Sequence, residues 1–380
     1  MKIGIVTLPF NSNYGGILQA YALQSVLKKM GHTVLTVNRF SKSIPVYMKI
    51  LSFAKRFAER YFLQKKVIVR TWPNKREQDT IAQHTKRFIT ENIEITEYLK
   101  NEAGFNKLNR IGFEAYVVGS DQVWRPKYSP SIENHFLAFE QNNSKVKRIS
   151  YAASFGVDSW EYSPKQTENC RELVQLFSAV SVREKSGISL CKNNLNVDAI
   201  QVLDPTLLVD KDEYIGLVKK DNLPERNETL LTYLLDQNSA IQEIVAGAER
   251  KLNKKAFSTM PRAFFRNVGA QQLDKCIAPP VTNWIKGFMD ADFVITDSFH
   301  GTVFSIIFNK PFISIGNTKR GMSRFTSFLE MFDLQDRLLT EKNLDRYEEL
   351  LNKTVDFDSV NTKLAKLKSQ SITFLEEALR

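Results

Sequence analysis

Short runs of apolar and β-branched residues alternate along the chain with segments of helical periodicity. The alternation begins at once: residues 1–8 are typical of a buried strand, residues 15–31 of a helix that Gly31 closes, and residues 32–40 of a second strand. Strand, helix and strand in this order predict a βαβ unit, which is the building block of a parallel sheet.

Strand-like runs continue through the rest of the chain in two series. Each run is short and either ends in, or is directly followed by, Gly, Ser, Asp or Pro, as is typical of parallel strands whose carboxyl ends carry polar loops. The first series comprises residues 113–121, 147–156, 179–185 and 199–209, and the second comprises residues 228–236, 254–260, 291–301 and 310–316. Residues 211–227 between the two series are rich in charge and contain Pro224, as expected of a linker.

The pattern therefore predicts an α/β fold in which two Rossmann-like domains face a cleft. We expect an N-terminal α/β domain over residues 1–210, with a basic helical insertion at about 41–110, and a C-terminal α/β domain over residues 228–355. Residues 356–380 are predicted to form a helix that packs back on the first domain. Its apolar spacing allows one buried face, formed by Leu364, Leu367, Ile372, Leu375 and Leu379. The length agrees, since 380 residues exceed what a single hydrophobic core usually serves.

Composition supports a folded protein and excludes several classes. Apolar residues make up 43% of the chain and charged residues 25%, which is ordinary for a soluble globular protein. The first residues do not resemble a signal peptide, and no apolar run is long enough to span a membrane, so we expect a cytoplasmic protein. Neither a disulfide framework nor a metal site is expected, because the cysteines lie far apart without metal-ligand spacing: Cys170, Cys191 and Cys276.

Positive charge is concentrated in one part of the chain. The formal net charge is +11, and residues 41–90 contain 12 Lys and Arg against three Asp and Glu. Two interpretations remain open for this segment: a helix that packs on its own domain with a solvated basic face, or an arm that touches an anionic membrane surface or a lipid-linked acceptor. Nucleic acid is not expected as a partner, because no recognised nucleic-acid module accompanies the charge. The helix is predicted from apolar residues at helical spacing, namely Ile50, Leu51, Phe53, Phe57, Tyr61 and Phe62.

The cleft is where ligands of an open α/β sheet collect, at the carboxyl ends of strands and the N-termini of the helices that follow. Gly15 and Gly16 begin the first predicted helix, where the absence of side chains lets a ligand approach the backbone, and Asn11 and Asn13 offer polar groups beside them. The segment matches neither the GxGxxG nor the P-loop pattern, so a plain turn and helix cap explains it as well.

A second candidate position follows the strand that ends at Gly119. Ser120 and Asp121 come directly after it, where they either cap the next helix or contact a ligand. Trp124 nearby either belongs to the core or offers a surface on which a sugar stacks.

Arg183 and His300 mark the third and fourth positions. Arg183 follows a β-branched run, where its guanidinium suits a carboxylate or a phosphate, although a surface pair with Glu184 or Glu172 is the alternative. His300 lies between a predicted strand and a predicted helix, where an imidazole can donate to an anion or pass a proton. A structural histidine remains the alternative reading of that residue.

A compact basic loop follows the next predicted strand. It contains Lys319, Arg320 and Arg324, and a glycine lies on each side of the first two, at Gly316 and Gly321. A phosphate or carboxylate site needs this combination of cations and flexible backbone.

Several of these segments occur in one order along the chain: the first strand with its Asn/Gly-rich turn, then VGSDQVW, SVRE, LDPTLL, TDSFHGTVFSIIFNKPFI and KRGMSR. This order resembles that of the polysaccharide pyruvyl transferase family, from about residue 3 to residue 324. The resemblance implies a two-domain protein of the glycosyltransferase-B type. It also implies an enzyme that uses phosphoenolpyruvate to place a pyruvate ketal on a sugar of a surface polysaccharide or of its lipid-linked precursor. No cofactor is implied besides this donor substrate.

The resemblance also implies roles for the residues of the cleft. Phosphoenolpyruvate carries a carboxylate and a phosphate, so Arg183 would bind one side of it and the basic loop, with Lys319, Arg320 and Arg324, the other. His300 would act as general acid. A carboxylate would orient His300 or deprotonate the acceptor, the candidates being Asp297 and Asp121. The remaining residues expected at the substrate are Asn13, Gly15, Gly16, Ser120 and Ser298.

One position departs from the family pattern. Family members have an arginine two residues before the histidine, where this chain has Ser298. The loop arginines would replace that contact, or this chain would use another donor or acceptor. Two other functions fit the same fold: a glycosyltransferase that uses a nucleotide sugar, and a glycan-binding protein without catalysis. Against the former, the second domain has no obvious acidic pair of the ExxxxxxxE type.

Overall fold

A computed structural model describes residues 1–41, 45–65, 67–129, 131–236, 238–317 and 321–380. Within these ranges the strands form two sheets, and every pairing between strands is parallel. The first sheet has the order β2-β1-β3-β4-β5-β6 and consists of β1 (Lys2–Val6), β2 (Thr33–Thr36), β3 (Ala115–Asp121), β4 (Lys147–Ala153), β5 (Ala179–Val182) and β6 (Ile200–Gln201). The second has the order β11-β10-β9-β7-β8 and consists of β7 (Leu230–Tyr233), β8 (Ala256–Ser258), β9 (Phe293–Thr296), β10 (Phe312–Ile315) and β11 (Leu338–Leu339). The predicted α/β fold with two Rossmann-like units is confirmed.

Helices occupy the connections between the strands, with short 3₁₀ turns between them. In the first half of the chain they are α1 (Tyr14–Lys29), α2 (Val46–Tyr61), α3 (Lys75–Ile81), α4 (Gln83–Asn92), α5 (Pro164–Val174), α6 (Lys185–Leu190) and α7 (Lys211–Lys219). In the second half they are α8 (Ser239–Leu252), α9 (Phe265–Val268), α10 (Val281–Asp290), α11 (Phe299–Ile307), α12 (Ser323–Glu330), α13 (Tyr347–Asn352) and α14 (Phe357–Leu379).

The first βαβ unit shows how the sequence produces these elements. The residues of β1 are almost all buried because the strand lies between β2 and β3, which explains why it appears as an uninterrupted apolar run. Helix α1 starts after Asn13 and ends with Lys28 and Lys29 in its last turn, where cations favour the helix dipole. Gly31 follows with a φ of +88°, a conformation that ends a helix readily only in glycine.

The two sheets divide between Gln201 and Leu230, and α7 lies in this connection. The domain limits at residues 210 and 228 stay predictions. One apolar cluster joins the two halves, because Tyr14 at the start of α1 stacks on Trp284 of α10 with ring centroids 5.8 Å apart. The Tyr14 hydroxyl also donates to the carbonyl oxygen of Pro279 at 2.9 Å. The N-terminus of α1 is thereby fixed against the second half of the chain.

The last helix, α14, crosses the back of the first sheet. The backbone N–H of Leu203 donates to the Ser371 hydroxyl at 3.0 Å, and Leu375 and Leu379 are buried in the shared core. The other apolar residues that the spacing placed on this face are half-buried against the same core, namely Leu364, Leu367 and Ile372.

The basic segment behaves differently from the rest of the chain. Helix α4 buries Phe88 and Ile89, but none of the residues of α2, all of which are described, is buried. The interpretation in which α2 packs its apolar face on its own domain is therefore wrong.

Candidate functional site

A cavity of about 340 Å³ opens at the carboxyl ends of both sheets. Its walls come from the loops after β1, β2 and β3 on one side and after β7, β9 and β10 on the other. This is where ligands bind in open α/β sheets, and the volume suits a small molecule. Among the predicted site residues, the cavity is lined by Asn13, Asp121, Asp297, Ser298, His300 and Arg324.

His300 lies in the first turn of α11, with Ser298 as the residue that caps the helix. The Ser298 hydroxyl accepts a hydrogen bond from the backbone N–H of Gly301 at 3.4 Å. The imidazole is 6% exposed and lies against Gly15 at the start of α1, where a Cβ atom would overlap its Nδ1 atom. Gly15 therefore belongs to the site because it makes room for His300.

Asp204 is the carboxylate nearest to His300. Its Oδ2 atom lies 3.6 Å from Nε2 of His300, which is close but too long for a hydrogen bond. The other oxygen accepts from the backbone N–H and the hydroxyl of Thr206, at 3.1 and 2.8 Å. Burial would raise the pKa of Asp204, but His300 and Arg183 outweigh it and hold the pKa well below its usual range. Asp204 is thus a fixed anion behind the imidazole.

Arg183 lies beneath the cavity rather than in its wall. Its guanidinium donates to Oδ2 of Asp204 at 2.8 Å and to Oδ1 of Asp121 at 3.1 Å, and it lies over the Phe299 ring at 4.5 Å. Its hydrogen-bonding partners therefore come from the end of β3 and from the chain after β6, and are not the Glu184 or Glu172 of the surface-pair alternative. Burial would lower the pKa of Arg183, but the two aspartates outweigh it and raise the pKa.

Asp121 and Arg324 extend this cluster to the cavity wall. Asp121 ends β3 with a φ of +69°, and Arg324 in α12 is 9% exposed. Burial and the nearby Arg183 lower the pKa of Arg324 to about 10, which leaves it protonated at neutral pH. Burial would raise the pKa of Asp121, but Arg183, His300 and Arg324 outweigh it and lower the pKa. Two guanidinium groups and two carboxylates thus surround His300.

The other predicted residues have different positions. Asp297 accepts from the backbone N–H groups of Leu235 and Asp236 at 2.7 and 2.8 Å, so it fixes the loop after β7. Ser120 is fully buried, and its hydroxyl lies within donating distance of the Ala152 carbonyl oxygen at 3.2 Å and of Oδ2 of Asp204 at 3.4 Å. It therefore belongs to the cluster beneath the cavity and not to the cavity wall.

The remaining four predicted residues belong to the turn before α1 and to the basic loop. Asn13 is exposed beside the cavity, and Gly16 packs next to it. Lys319 and Arg320 lie outside the described residues. Gly321 directly after them has a φ of +96°, and a Cβ atom there would overlap the carbonyl oxygen of Gly156. The end of this loop therefore touches the loop after β4, on the other side of the cleft.

Sequence reasoning missed Asp204 and decided nothing about Trp124. The available signal for Asp204 was its position directly after a strand, within LDPTLL. Trp124 belongs to the core, since it is fully buried and stacks on Phe136 with ring centroids 4.9 Å apart. In the described part of the chain no group of three or more His, Cys, Asp and Glu residues could hold a metal ion.

A second cavity, of about 450 Å³, adjoins the first. The two share Asn11, Asn13 and Leu235 in their walls. The remaining walls of the second cavity are mainly apolar and aromatic, with Tyr233, Met260, Pro261, Phe264 and Phe265. A ligand that spans both cavities would meet charge at one end and apolar surface at the other.

Solved structures share this arrangement of two parallel sheets around a cleft. The UDP-GlcNAc 2-epimerase from Methanocaldococcus jannaschii is 14% identical, with a TM-score of 0.52 over 93% of this chain and 94% of that protein. The UDP-N-acetylglucosamine 2-epimerase from Rickettsia bellii is 11% identical, with a TM-score of 0.51 over 99% of this chain and 96% of that protein. At these identities the likeness shows the fold alone, which is the two-domain glycosyltransferase-B type.

The sequence itself gives the family. Residues 13–319 match the model of the polysaccharide pyruvyl transferase family, a range that includes α1, β3, Arg183, Asp204 and His300. The chain therefore belongs to this family of transferases, and the resemblance seen in the sequence is confirmed. A comparison with curated proteins gave no match. Among the helices of the described ranges, none is both long and apolar enough to cross a membrane.

Proposed function

We propose that this protein transfers the pyruvyl group of phosphoenolpyruvate to a sugar of a surface polysaccharide or its lipid-linked precursor. One sugar hydroxyl gives up its proton as its oxygen adds to C2 of the donor, and the methylene carbon takes up a proton and becomes a methyl group. The bond between C2 and the phosphate oxygen then breaks, a second hydroxyl of the same sugar adds to C2, and its proton leaves with the phosphate. The products are a cyclic pyruvate ketal and inorganic phosphate.

The observation that carries this proposal is the charged cluster around His300 at the cavity of a member of this family. His300 is held between Gly15 and Asp204, so its ring has one position from which to deliver a proton. In the proposed reaction it acts as general acid toward the methylene carbon or the departing phosphate. Asp204 stabilises the protonated imidazole and orients it.

Arg183 takes a different part from the one that the sequence suggested. Since its guanidinium donates to both Asp204 and Asp121, it holds the two carboxylates in their ionised form beneath the cavity. Asp121 remains a candidate for deprotonating the acceptor, because it lies in the cavity wall. Asp297 is the weaker candidate for this step, as both of its oxygens accept backbone hydrogen bonds.

The donor's anionic groups would bind Arg324 and the N-terminus of α11. Arg324 lines the cavity and stays protonated at neutral pH, and the first turn of α11 presents Ser298 and backbone N–H groups. Lys319 and Arg320 complete this anion site in the proposal, in place of the arginine that the family pattern has at position 298.

The acceptor sugar would occupy the second cavity. Its shared wall with the first brings a bound sugar close to His300, and its aromatic side chains suit the apolar face of a sugar ring.

The proposal is tested by phosphate release from phosphoenolpyruvate in the presence of a panel of lipid-linked and synthetic glycans, with NMR detection of the ketal methyl group. We expect release only with a matching acceptor. The variant His300→Ala should lower turnover by about 10²- to 10⁴-fold, the usual contribution of a general acid, while donor affinity is largely kept.

The matched control is His84→Ala in α4, which lines neither cavity and should keep normal turnover. Normal turnover of His300→Ala would refute the mechanism. Absence of phosphate release with every acceptor, together with glycan binding, would favour the non-catalytic alternative. Release of a nucleoside diphosphate from a nucleotide sugar would instead favour the glycosyltransferase alternative.

A further inference from the structure

Helix α2 has a continuous apolar face. At about 100° per residue, its apolar side chains other than Met48 fall in an arc of roughly 160°. Rings line this arc one turn apart: the centroids of Phe53 and Phe57 are 6.2 Å apart, and those of Phe57 and Tyr61 are 4.5 Å apart. The apolar stripe is our name for the side chains on this face, which are Val46, Tyr47, Ile50, Leu51, Phe53, Phe57 and Tyr61.

The polar side of α2, not the apolar stripe, faces the protein. Three of the four half-buried residues of this helix, Ser52, Arg56 and Glu59, lie on its polar side. The Arg56 guanidinium donates to the Ile68 carbonyl oxygen at 3.4 Å, which ties this side to the chain that follows. By contrast, the residues of the apolar stripe are between 42% and 70% exposed. This is the reverse of an ordinary surface helix, which turns its apolar face to the core.

Cations flank the apolar stripe on both edges. In helical projection Lys55 adjoins one edge, and Lys49 and Arg60 adjoin the other. All three are exposed, and Glu59 is the one acidic residue of the helix. Long basic side chains beside an apolar surface can extend their charges into a layer of anionic head groups while their stems stay in apolar surroundings.

We propose that α2 docks this protein on an anionic lipid surface. The apolar stripe enters the interfacial region of one leaflet, and the flanking cations bind the head groups. The attachment is peripheral, consistent with the absence of a membrane-crossing helix among the described ones. Charge decides between a lipid surface and a second copy of the chain, because two such helices face to face would bring like charges together.

The segment after α2 leads to the second cavity. The Arg70 guanidinium lies 5.1 Å from the centre of the Phe265 ring, and Phe265 lines that cavity. A docked α2 would thus hold the second cavity near the lipid surface. The benefit of holding the second cavity near the lipid surface rests on the proposed function, in which a lipid carries the acceptor. The docking of α2 on a lipid surface does not depend on that function.

The test is flotation of the purified full-length protein with phosphatidylcholine vesicles, with and without phosphatidylglycerol. We expect the wild type to float with the anionic vesicles alone, and less at high salt. The triple variant Lys49→Gln, Lys55→Gln, Arg60→Gln should bind about 100-fold more weakly, since each basic residue near such a surface contributes about fivefold. The double variant Ile50→Glu, Phe57→Glu should lose flotation.

Matched controls keep the same chemistry elsewhere on the surface. The double variant Leu176→Glu, Ile200→Glu replaces two apolar residues that are 44% and 50% exposed, and it should float as the wild type does. A triple Lys→Gln variant at exposed positions in the first half of the chain should do the same, at Lys107, Lys145 and Lys165.

Two results would overturn the docking proposal. One is equal flotation of the wild type and the Ile50→Glu, Phe57→Glu variant, including the case in which neither floats. The other is found by light scattering in lipid-free solution: the wild type is a dimer, and the double variant is a monomer. The apolar stripe would then contact a second copy of the chain instead of lipid. Phosphate release with a water-soluble acceptor is measured in parallel. If the wild type released no phosphate with this acceptor, the result would count against the proposed function and not against docking.

Discussion

The cluster around His300 and the surface of α2 both reverse the usual distribution of residues. The cluster places Arg183, Arg324, Asp121 and Asp204 at 9% exposure or less, whereas α2 leaves a face of aromatic and aliphatic side chains open. Burying charge and exposing apolar surface both cost free energy unless a partner compensates. In the cluster, compensation comes largely from within, as each aspartate is paired with Arg183. For α2, the residues of the apolar stripe remain between 42% and 70% exposed.

This difference separates a preorganised site from a docking surface. The paired charges are fixed before any ligand arrives, so they can hold His300 in one orientation. The apolar stripe gains its stabilisation only when another surface covers it. Substitutions in the cluster should therefore alter the folded protein itself, and substitutions in α2 should alter only what the protein binds.

The largest effect is expected for Arg183→Ala. It leaves Asp204 and Asp121 buried without their shared cation, and breaking a buried pair in this way costs about 3 to 5 kcal/mol of unfolding free energy. Arg183→Lys should recover part of the loss, because one ammonium cannot reproduce the bidentate fork. Urea unfolding at neutral pH measures both variants. Arg171→Ala, which removes an exposed arginine, serves as the control and should change stability little.

The loss of unfolding free energy in Arg183→Ala should be smaller at acidic pH than at neutral pH. In the wild type the pKa values of both aspartates are lowered in the folded state, so their contribution is present above the unfolded pKa of about 4 and is lost as the pH falls through the folded pKa values. In Arg183→Ala burial is opposed only by His300 at Asp204 and by His300 and Arg324 at Asp121, so both pKa values rise relative to the wild type, and protonation in acid relieves part of the loss. The contrary outcome is an Arg183→Ala variant that is as stable as the wild type and binds phosphoenolpyruvate more weakly. That outcome would show that Arg183 binds the donor directly, as the sequence suggested.

The sequence predicted most of the fold because buried parallel strands leave a clear pattern. Each of β1 to β10 lies within or overlaps an apolar run bounded by turn residues. The strand β11 was not predicted, since Leu338 and Leu339 are too few to show a period. The orientation of α2 was not predictable either. Periodicity reveals that a helix has two faces, but not which face the rest of the protein contacts.

The site was predicted in part, for a related reason. His300 was found because it lies between a strand and a helix, a relation local in sequence. The partners of Arg183 were sought among its sequence neighbours, whereas they are Asp121 and Asp204, which come from β3 and from the chain after β6. The contact between Asp204 and His300 joins the two halves of the protein, so it depends on how the sheets pack.

A smaller effect is expected for Gly15→Ala, which tests how tightly the cluster holds His300. The added Cβ would overlap the imidazole, so the ring must move, and a displacement of about 1 Å can lower the rate by about 10²-fold. Gly16→Ala is the matched control, because its Cβ would lie 3.2 Å from the Asn13 side-chain amide, which can turn aside. Turnover is measured for both variants. Equal turnover of the two would mean that Gly15 does not constrain the histidine.

The smallest effect is expected for Phe57→Ser, and it tests the other half of the comparison. Phe57 is 42% exposed on α2, so its replacement should change the unfolding free energy by no more than about 0.5 kcal/mol in lipid-free solution. Leu375 on α14 is fully buried, and Leu375→Ala should cost about 2 to 5 kcal/mol. Urea midpoints of both variants against the wild type provide the measurement. If Phe57→Ser destabilised the protein as much as Leu375→Ala does, the apolar stripe would be packed in solution, and its outward orientation would be wrong.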